Sequence, residues 1–181
     1  MGMSAHEATL THQLLKHNKI EHDMFTMCFS RALTHSKEGV AAGMMALGGV
    51  DNRHHTSPMV YARSVKSSGW FTVNVKKIYL RPSDGSGTKS VGTPYDLRDY
   101  DLKLLADKNS LVNSGKGVIV DSGTTDTYLH KSLKKPFEVL WNQITGENYV
   151  VDKGMDLTKE DLDDLPTFLI MLEVISICCE A

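Results

Sequence analysis

Apolar residues recur at helical spacing in two parts of the chain. Between Thr9 and Ile20, three leucines share one side, which predicts a short surface helix. The strongest helical pattern runs from Leu133 to Ile144, where spacings of four, three, one and three keep one face apolar. Pro136 suits the first turn of that helix, and Gly146 is a natural stop. A short acidic turn or helix is expected over Leu157–Leu165.

The other apolar segments are short and favour strands. The best strand pair lies in Trp70–Leu80, where apolar and polar positions alternate with one shift. The Ser, Gly and Thr residues of Pro82–Thr93 predict a loop or a long hairpin tip. The chain is therefore expected to be β-rich with two or three helices. Further apolar, strand-compatible segments are 24–29, 43–49, 59–61, 117–120, 128–129 and 165–172.

Composition excludes several classes of protein. The 181 residues suffice for one domain or a small pair, and 41% hydrophobic residues permit a core. A net charge of −2 excludes a nucleic-acid-binding surface spread over the whole chain. No apolar run reaches the roughly 18 residues of a membrane span. The eight histidines and three cysteines lack the spacing of a zinc site. We therefore expect the histidines to be exposed and expect no bound metal. An odd cysteine count leaves the redox compartment open.

The sharpest chemical signal is an apolar strand that runs directly into Asp-Ser-Gly-Thr-Thr, from Gly117 to Thr125. The strand carries the carboxylate of Asp121 to its end, and Gly123 permits a tight loop around it. The hydroxyls of Ser122 and Thr124 can hold the carboxylate or fix the loop. The alternative interpretation is a turn aspartate that caps its own loop.

Val118–Leu129 resembles the second catalytic motif of the pepsin-type aspartic endopeptidases. Four other segments resemble that family's C-terminal lobe in the right order, so that the resemblance covers roughly Phe25 to Leu172. They are Phe25–Phe29, the Leu-Gly-Gly-x-Asp turn at 45–51, Leu-Pro-Thr-Phe at 165–168, and one match made of 58–61 followed by 69–73, which together resemble a single strand of the family.

The resemblance implies a role for each residue of the loop. Asp121 would be one of two catalytic aspartates, Ser122 would lock the two active-site loops together, and Gly123 would lie against the substrate backbone. Thr124 would hydrogen-bond the catalytic carboxylate, and Thr125 is counted with these residues in the substrate-binding or active-site loop. In the family, two carboxylates share one proton and hold a water, so no metal or organic cofactor is expected. The implied partner is a peptide or protein substrate, in a secretory, vacuolar or extracellular setting.

The same resemblance predicts the domain organisation. A lead-in with a helix covers 1–23, a partial C-terminal lobe covers 24–173, and the tail 174–181 matches nothing in the family. The expected fold is mainly β, as a partial pepsin-like lobe with two or three short helices. Cys28 matches a position that is often disulfide-bonded in secreted members.

The chain supplies one catalytic motif where the chemistry needs two. The family's N-terminal lobe and the apolar-apolar-Gly segment after Asp121 have no counterpart in this sequence, so the chain is expected to be a fragment with little activity alone. A lone Asp121 should then titrate near 4, like an ordinary carboxylate. Two alternatives stay open: a non-catalytic protein that at most binds peptide, and a homodimer that pairs Asp121 across two chains. An uncovered seam between lobes also predicts self-association.

Overall fold

A computed structural model describes residues 3–4, 6–29, 41–55, 58–65, 69–83, 102–151, 154 and 156–175. Within these residues, helices hold about as many residues as strands, and four of the nine strands are only two residues long. The fold is therefore mixed and broadly β-rich, and less dominated by strands than a mainly β lobe. The α-helices are α1 (Leu10–Lys16), α2 (Lys134–Thr145) and α3 (Lys159–Asp164), and 3-10 helices span Asn52–His54, Leu111–Asn113 and Lys131–Leu133. The strands are β1 (Phe25–Phe29), β2 (Gly43–Leu47), β3 (Tyr61–Ala62), β4 (Thr72–Val73), β5 (Val75–Arg81), β6 (Lys103–Asp107), β7 (Val118–Ile119), β8 (Thr167–Leu172) and β9 (Val174–Ile175).

The chain divides into two compact units, of which the first comprises Met1–Val60 and Ser67–Trp70. Its sheet is the antiparallel pair of β1 and β2, in register from Phe25 opposite Leu47 to Phe29 opposite Gly43. The predicted N-terminal helix is confirmed as α1. Gly48 has a φ of 81° and its N–H donates to the Met24 carbonyl at 2.7 Å, so the chain turns tightly after β2.

The second unit, Tyr61–Lys66 and Phe71–Ala181, contains the buried core. Its main sheet is antiparallel in the order β6-β5-β8, with β5 in the centre. Strand β5 supplies Val75, Ile78 and Leu80 to the core, which explains the alternating pattern of its sequence. The remaining core residues are Leu105, Ala106, Val112, Leu133 and Phe137.

Two smaller antiparallel pairs belong to the same unit, β4 with β7 and β3 with β9. Two strands were predicted within Trp70–Leu80, and both exist as β4 and β5. They do not pair with each other, because β4 pairs with β7 whereas β5 pairs with β6 and β8. The chain changes partners at Asn74, whose carbonyl accepts from the Glu173 N–H at 2.9 Å.

Helix α2 confirms the strongest helical prediction. Pro136 lies in its first turn, and Gly146 ends it in the left-handed conformation with a φ of 76°. Phe137 packs in the core, and its ring stacks on Phe168 with centroids 5.7 Å apart. Trp141 packs against the same core from the next turn. The apolar face of α2 therefore covers the β6-β5-β8 sheet.

One predicted strand does not form, and one observed strand was not predicted. Tyr128–Leu129 was predicted as a strand and is not one: Tyr128 is 78% exposed, while Leu129 packs against the core without ladder hydrogen bonds. Strand β6 was not predicted, although it supplies two core residues. Most of the predicted loop at 82–93 lies outside the described residues.

No helix among the described residues is both long and apolar enough to cross a membrane.

Candidate active site

Strand β7 brings Asp121 to the end of a short ladder. Thr72 of β4 pairs with Ile119, and Val73 pairs with Val118. One residue further on, the Val120 N–H donates to the Phe71 carbonyl at 2.8 Å. The next residue is Asp121, where the chain leaves the ladder and turns. The predicted strand-to-carboxylate arrangement is therefore present.

The loop after β7 holds both oxygens of the Asp121 carboxylate. The Gly123 N–H donates to Oδ1 at 2.9 Å, and the Thr124 hydroxyl donates to Oδ2 at 2.7 Å. A carboxylate that accepts from the backbone two residues on is the usual aspartate turn. The carboxylate is thus fixed by its own loop while it stays exposed.

These hydrogen bonds change the acidity of Asp121. The Thr124 hydroxyl, and then the Gly123 N–H, hold the pKa of the Asp121 carboxyl below its ordinary value, against a small opposing effect of desolvation. Both donors stabilise the ionised form, because a protonated carboxyl accepts such bonds less well. The expectation of ordinary titration near 4 was wrong, since it counted a missing carboxylate partner and not the two local donors.

The other predicted loop residues take no part in holding the carboxylate. Ser122 and Thr125 are exposed, and neither donates to Asp121. The structure thus brings together Asp121, Gly123 and Thr124 from the predicted set. Among the described residues, no second carboxyl is hydrogen-bonded to Asp121. The site as described offers one solvent-accessible carboxylate whose ionised form is stabilised by two local donors.

Histidines in the described residues pair with carboxylates elsewhere. His12 Nδ1 lies 3.1 Å from Asp23 Oδ2, and His54 Nε2 lies 3.6 Å from Asp51 Oδ2. No group of three or more His, Cys, Asp or Glu residues in this part of the chain is arranged to hold a metal ion. Cys28 is a free thiol here, while Cys178 and Cys179 lie outside the described residues.

Sequence reasoning missed one residue that bears on the site. Asn113, at the end of the 3-10 helix before β7, hydrogen-bonds through its side chain to both backbone groups of Val75. The only sequence signal was an asparagine next to the turn-forming Ser-Gly-Lys-Gly segment at 114–117. Its partner lies 38 residues away, so no spacing rule could have identified the contact.

Comparison with known families gives one match. A family model described as eukaryotic aspartyl protease matches residues 2–94, just over half of the chain. The matched residues include the segments at 25–29, 45–51, 58–61 and 69–73, and they end before Asp121. A search of curated proteins found no match. A search of solved structures also found none.

Proposed function

The chain belongs to the eukaryotic aspartyl protease family, and from that premise we propose that Asp121 is one of the two catalytic carboxylates of an aspartic endopeptidase. The observation that carries the proposal is the fixed yet exposed carboxylate at the end of β7. In this proposal, Ser122, Gly123, Thr124 and Thr125 form the active-site loop around it. The substrate is a peptide or protein, and the reaction is hydrolysis of a peptide bond.

The lowered pKa suits Asp121 to the role of base. Since the carboxyl stays ionised to lower pH than an ordinary aspartate, it can accept a proton from a water in acid solution. The water then attacks the carbonyl carbon of the scissile peptide. A second carboxyl, in its protonated form, would donate its proton to the carbonyl oxygen. Asp121 would then pass the proton that it took from the water to the leaving nitrogen, and the second carboxyl would regain a proton from the diol as the C–N bond breaks. Each carboxyl thus needs a different environment, and that of Asp121 favours the charged form.

Among the described residues, Asp121 is hydrogen-bonded to Gly123 and Thr124 and to no second carboxyl. We consider two sources: the family's N-terminal lobe and a second copy of this chain. A second copy would bring two Asp121 carboxylates face to face. Repulsion between two such charges would then raise one of the two pKa values. The two sources differ in how activity depends on protein concentration.

The test is cleavage of a denatured protein by the 181-residue chain between about pH 3 and pH 6, the range in which carboxyls titrate. Activity should be blocked by a statine-type peptide inhibitor. Asp121→Asn should lower kcat/KM by about 10²- to 10⁴-fold, the usual contribution of a general acid or base. Asp126→Asn is the matched control, because Asp126 is an exposed aspartate of the same segment. It should leave kcat/KM unchanged.

The dependence on concentration separates the two sources of the second carboxyl. Activity of a homodimer rises with the square of protein concentration when most of the chain is monomeric. Activity that appears only after an N-terminal lobe from the family is added would identify the lobe as the source. Cleavage that persists in Asp121→Asn would contradict the proposal.

A non-catalytic, peptide-binding role is the second candidate, and one observation favours it. Both carboxylate oxygens of Asp121 are already held by their own loop, an arrangement that is complete without a partner. In the same assay, a protein of this kind would bind the statine-type inhibitor with no turnover at any protein concentration. Asp121→Asn would then change affinity and not rate.

A further inference from the structure

At the start of β5, the backbone of Val75 is hydrogen-bonded by the side chain of Asn113 and not by a neighbouring strand. On one side of β5, the partner strand β6 ends at Asp107, opposite Lys77. Val75, two residues earlier, is 2% exposed, so its polar groups have little access to water. The Val75 N–H donates to Asn113 Oδ1 at 2.9 Å, and Asn113 Nδ2 donates to the Val75 carbonyl at 2.8 Å. The side-chain amide therefore continues the β5 ladder beyond the end of β6.

Asn113 also lies at the entrance to β7. It ends the 3-10 helix Leu111–Asn113, whose central residue Val112 is part of the core. The following turn is closed by hydrogen bonds from the Ser114 N–H to the Leu111 carbonyl and from the Gly117 N–H to the Ser114 carbonyl, both at 3.0 Å. Strand β7 begins at the next residue. One side chain thus joins the start of β5 to the chain that leads into β7.

The ladder that carries Asp121 is short: it consists of two residue pairs, and two-stranded pairs are marginally stable on their own. It needs support from its surroundings, part of which comes from Val118, packed against the core. Its end near Asp121 is closed by the bond from the Val120 N–H to the Phe71 carbonyl. Its other end, beyond Val73, leads directly to Val75 and its clamp by Asn113.

We propose that Asn113 is a positioning residue for Asp121, which acts by fixing β7 against β4. The catalytic consequence rests on the proposed function, whereas the structural coupling does not. The loop bonds from Gly123 and Thr124 orient the carboxylate within its turn, and Asn113 fixes where that turn stands. Loss of Asn113 should therefore loosen the ladder and leave the local bonds of Asp121 in place.

The experiment is amide hydrogen exchange by NMR on the full chain and on Asn113→Ala. In the variant, the amide of Val120 should lose about tenfold or more in protection, because removal of both clamp bonds leaves buried backbone groups unsatisfied. Protection of Leu80, which is fully buried near the far end of β5, should fall by a clearly smaller factor. The pKa of the Asp121 carboxyl should stay unchanged, since Asn113 does not contact it.

Two further variants make the result specific. Asn109→Ala is the matched control: Asn109 lies in the same connection between β6 and β7, but its side chain donates to Asp107 at 3.5 Å and not to Val75. It should leave the protection of Val120 unchanged. Asn113→Asp keeps the acceptor, but its ionised form cannot donate to Val75. In this variant, the protection factor of the Val120 amide should be low at neutral pH. It should recover in acid, because the protonated carboxyl at position 113 can again donate to the Val75 carbonyl. This recovery can be measured even if Asn113→Ala does not fold.

An equal loss of protection at Val120 and Leu80 would overturn the proposal, because Asn113 would then act only on overall stability. Unchanged protection at Val120, or no recovery of Asn113→Asp in acid, would overturn it as well. None of these measurements uses a substrate. Failure of the peptidase proposal would therefore leave the exchange result unaffected, and a negative exchange result would leave the peptidase proposal standing.

Discussion

Two aspartate turns in this molecule share a backbone design and differ in charge. Asp51 and Asp121 each follow an apolar strand segment, and each accepts from the backbone N–H two residues on, Arg53 in one case and Gly123 in the other. In the first turn, the Arg53 guanidinium also binds the carboxylate through Nε at 2.9 Å and Nη2 at 2.6 Å. In the second, the additional donor is the neutral hydroxyl of Thr124.

The third residue of each turn, Arg53 or Gly123, determines whether the carboxylate is paired with a cation. Bidentate contact with Arg53 holds the pKa of Asp51 far below its ordinary value and neutralises its charge, and the Asp51 side chain is only 21% exposed. In the Asp121 turn, the third residue is Gly123, which has no cationic side chain. Asp121 therefore has no charge partner from this position, and it is exposed. A structural aspartate and a candidate catalytic aspartate can therefore share one loop geometry. The difference lies in whether a cation satisfies the charge.

The largest expected effect comes from Arg53→Gly, which gives the Asp51 turn the third residue of the Asp121 turn. The pKa of Asp51 should rise strongly, because the guanidinium hydrogen bonds are the largest cause of its depression. It should remain below the ordinary value, since the backbone donor at position 53 is kept. Carboxyl ¹³C NMR titration measures the change. Arg53→Lys keeps the charge without the planar fork and should fall between the two. An unchanged pKa would show that the two turns do not differ for the reason given.

A smaller effect is expected from Thr124→Val in the other turn. The hydroxyl that donates to Asp121 is replaced by a methyl of similar size, so the pKa of Asp121 should rise toward its ordinary value. The rise should be smaller than in Arg53→Gly, because a neutral donor is lost and the Gly123 N–H stays. Thr125→Val is the matched control and should leave this titration as it is. An equal shift in both variants would argue for a general change in the loop.

The smallest expected effect is on stability in acid. Each of these carboxyls has a lower pKa in the folded chain than its ordinary value, so the unfolded chain binds more protons as the pH falls below about 4. Their stabilising contributions are complete above that pH and are lost as the pH falls through the lowered values. The urea midpoint should therefore decrease in acid. Asp51→Asn should reduce that decrease more than Asp121→Asn does, because the pKa of Asp51 is lowered further. The reverse order would contradict the comparison.

Local chemistry was sufficient to predict some elements. Pro136 and Gly146 bound α2 correctly because the fixed φ of proline and the left-handed cap of glycine depend on few neighbours. Strand β5 was found because its alternating side chains reflect one buried face. The position of Asp121 after β7 was found because an apolar run followed by a glycine-containing turn has few other interpretations.

Pairing between distant segments could not be predicted in the same way. Strand β6 has five residues bounded by Lys103 and Asp107, and its strand conformation depends on β5. Tyr128–Leu129 has the composition of a strand, but no strand in the described part of the chain pairs with it, and Leu129 packs against the core from an irregular segment. The contact of Asn113 with Val75 joins residues 38 positions apart. The acidity of Asp121 was misjudged although Thr124 was named as a donor, because the effect of that hydroxyl and of the Gly123 N–H on the pKa was left out.

The self-contained turn at Asp121 has an evolutionary consequence. Every bond that holds the carboxylate comes from within four residues, so mutations elsewhere do not remove its donors directly. If the proposed second carboxylate were lost, both of these hydrogen bonds would remain, and the turn would keep its shape. The shape of such a turn would therefore be the same in an active protease and in an inactive descendant. A survey that relied on this signature alone could not separate the two.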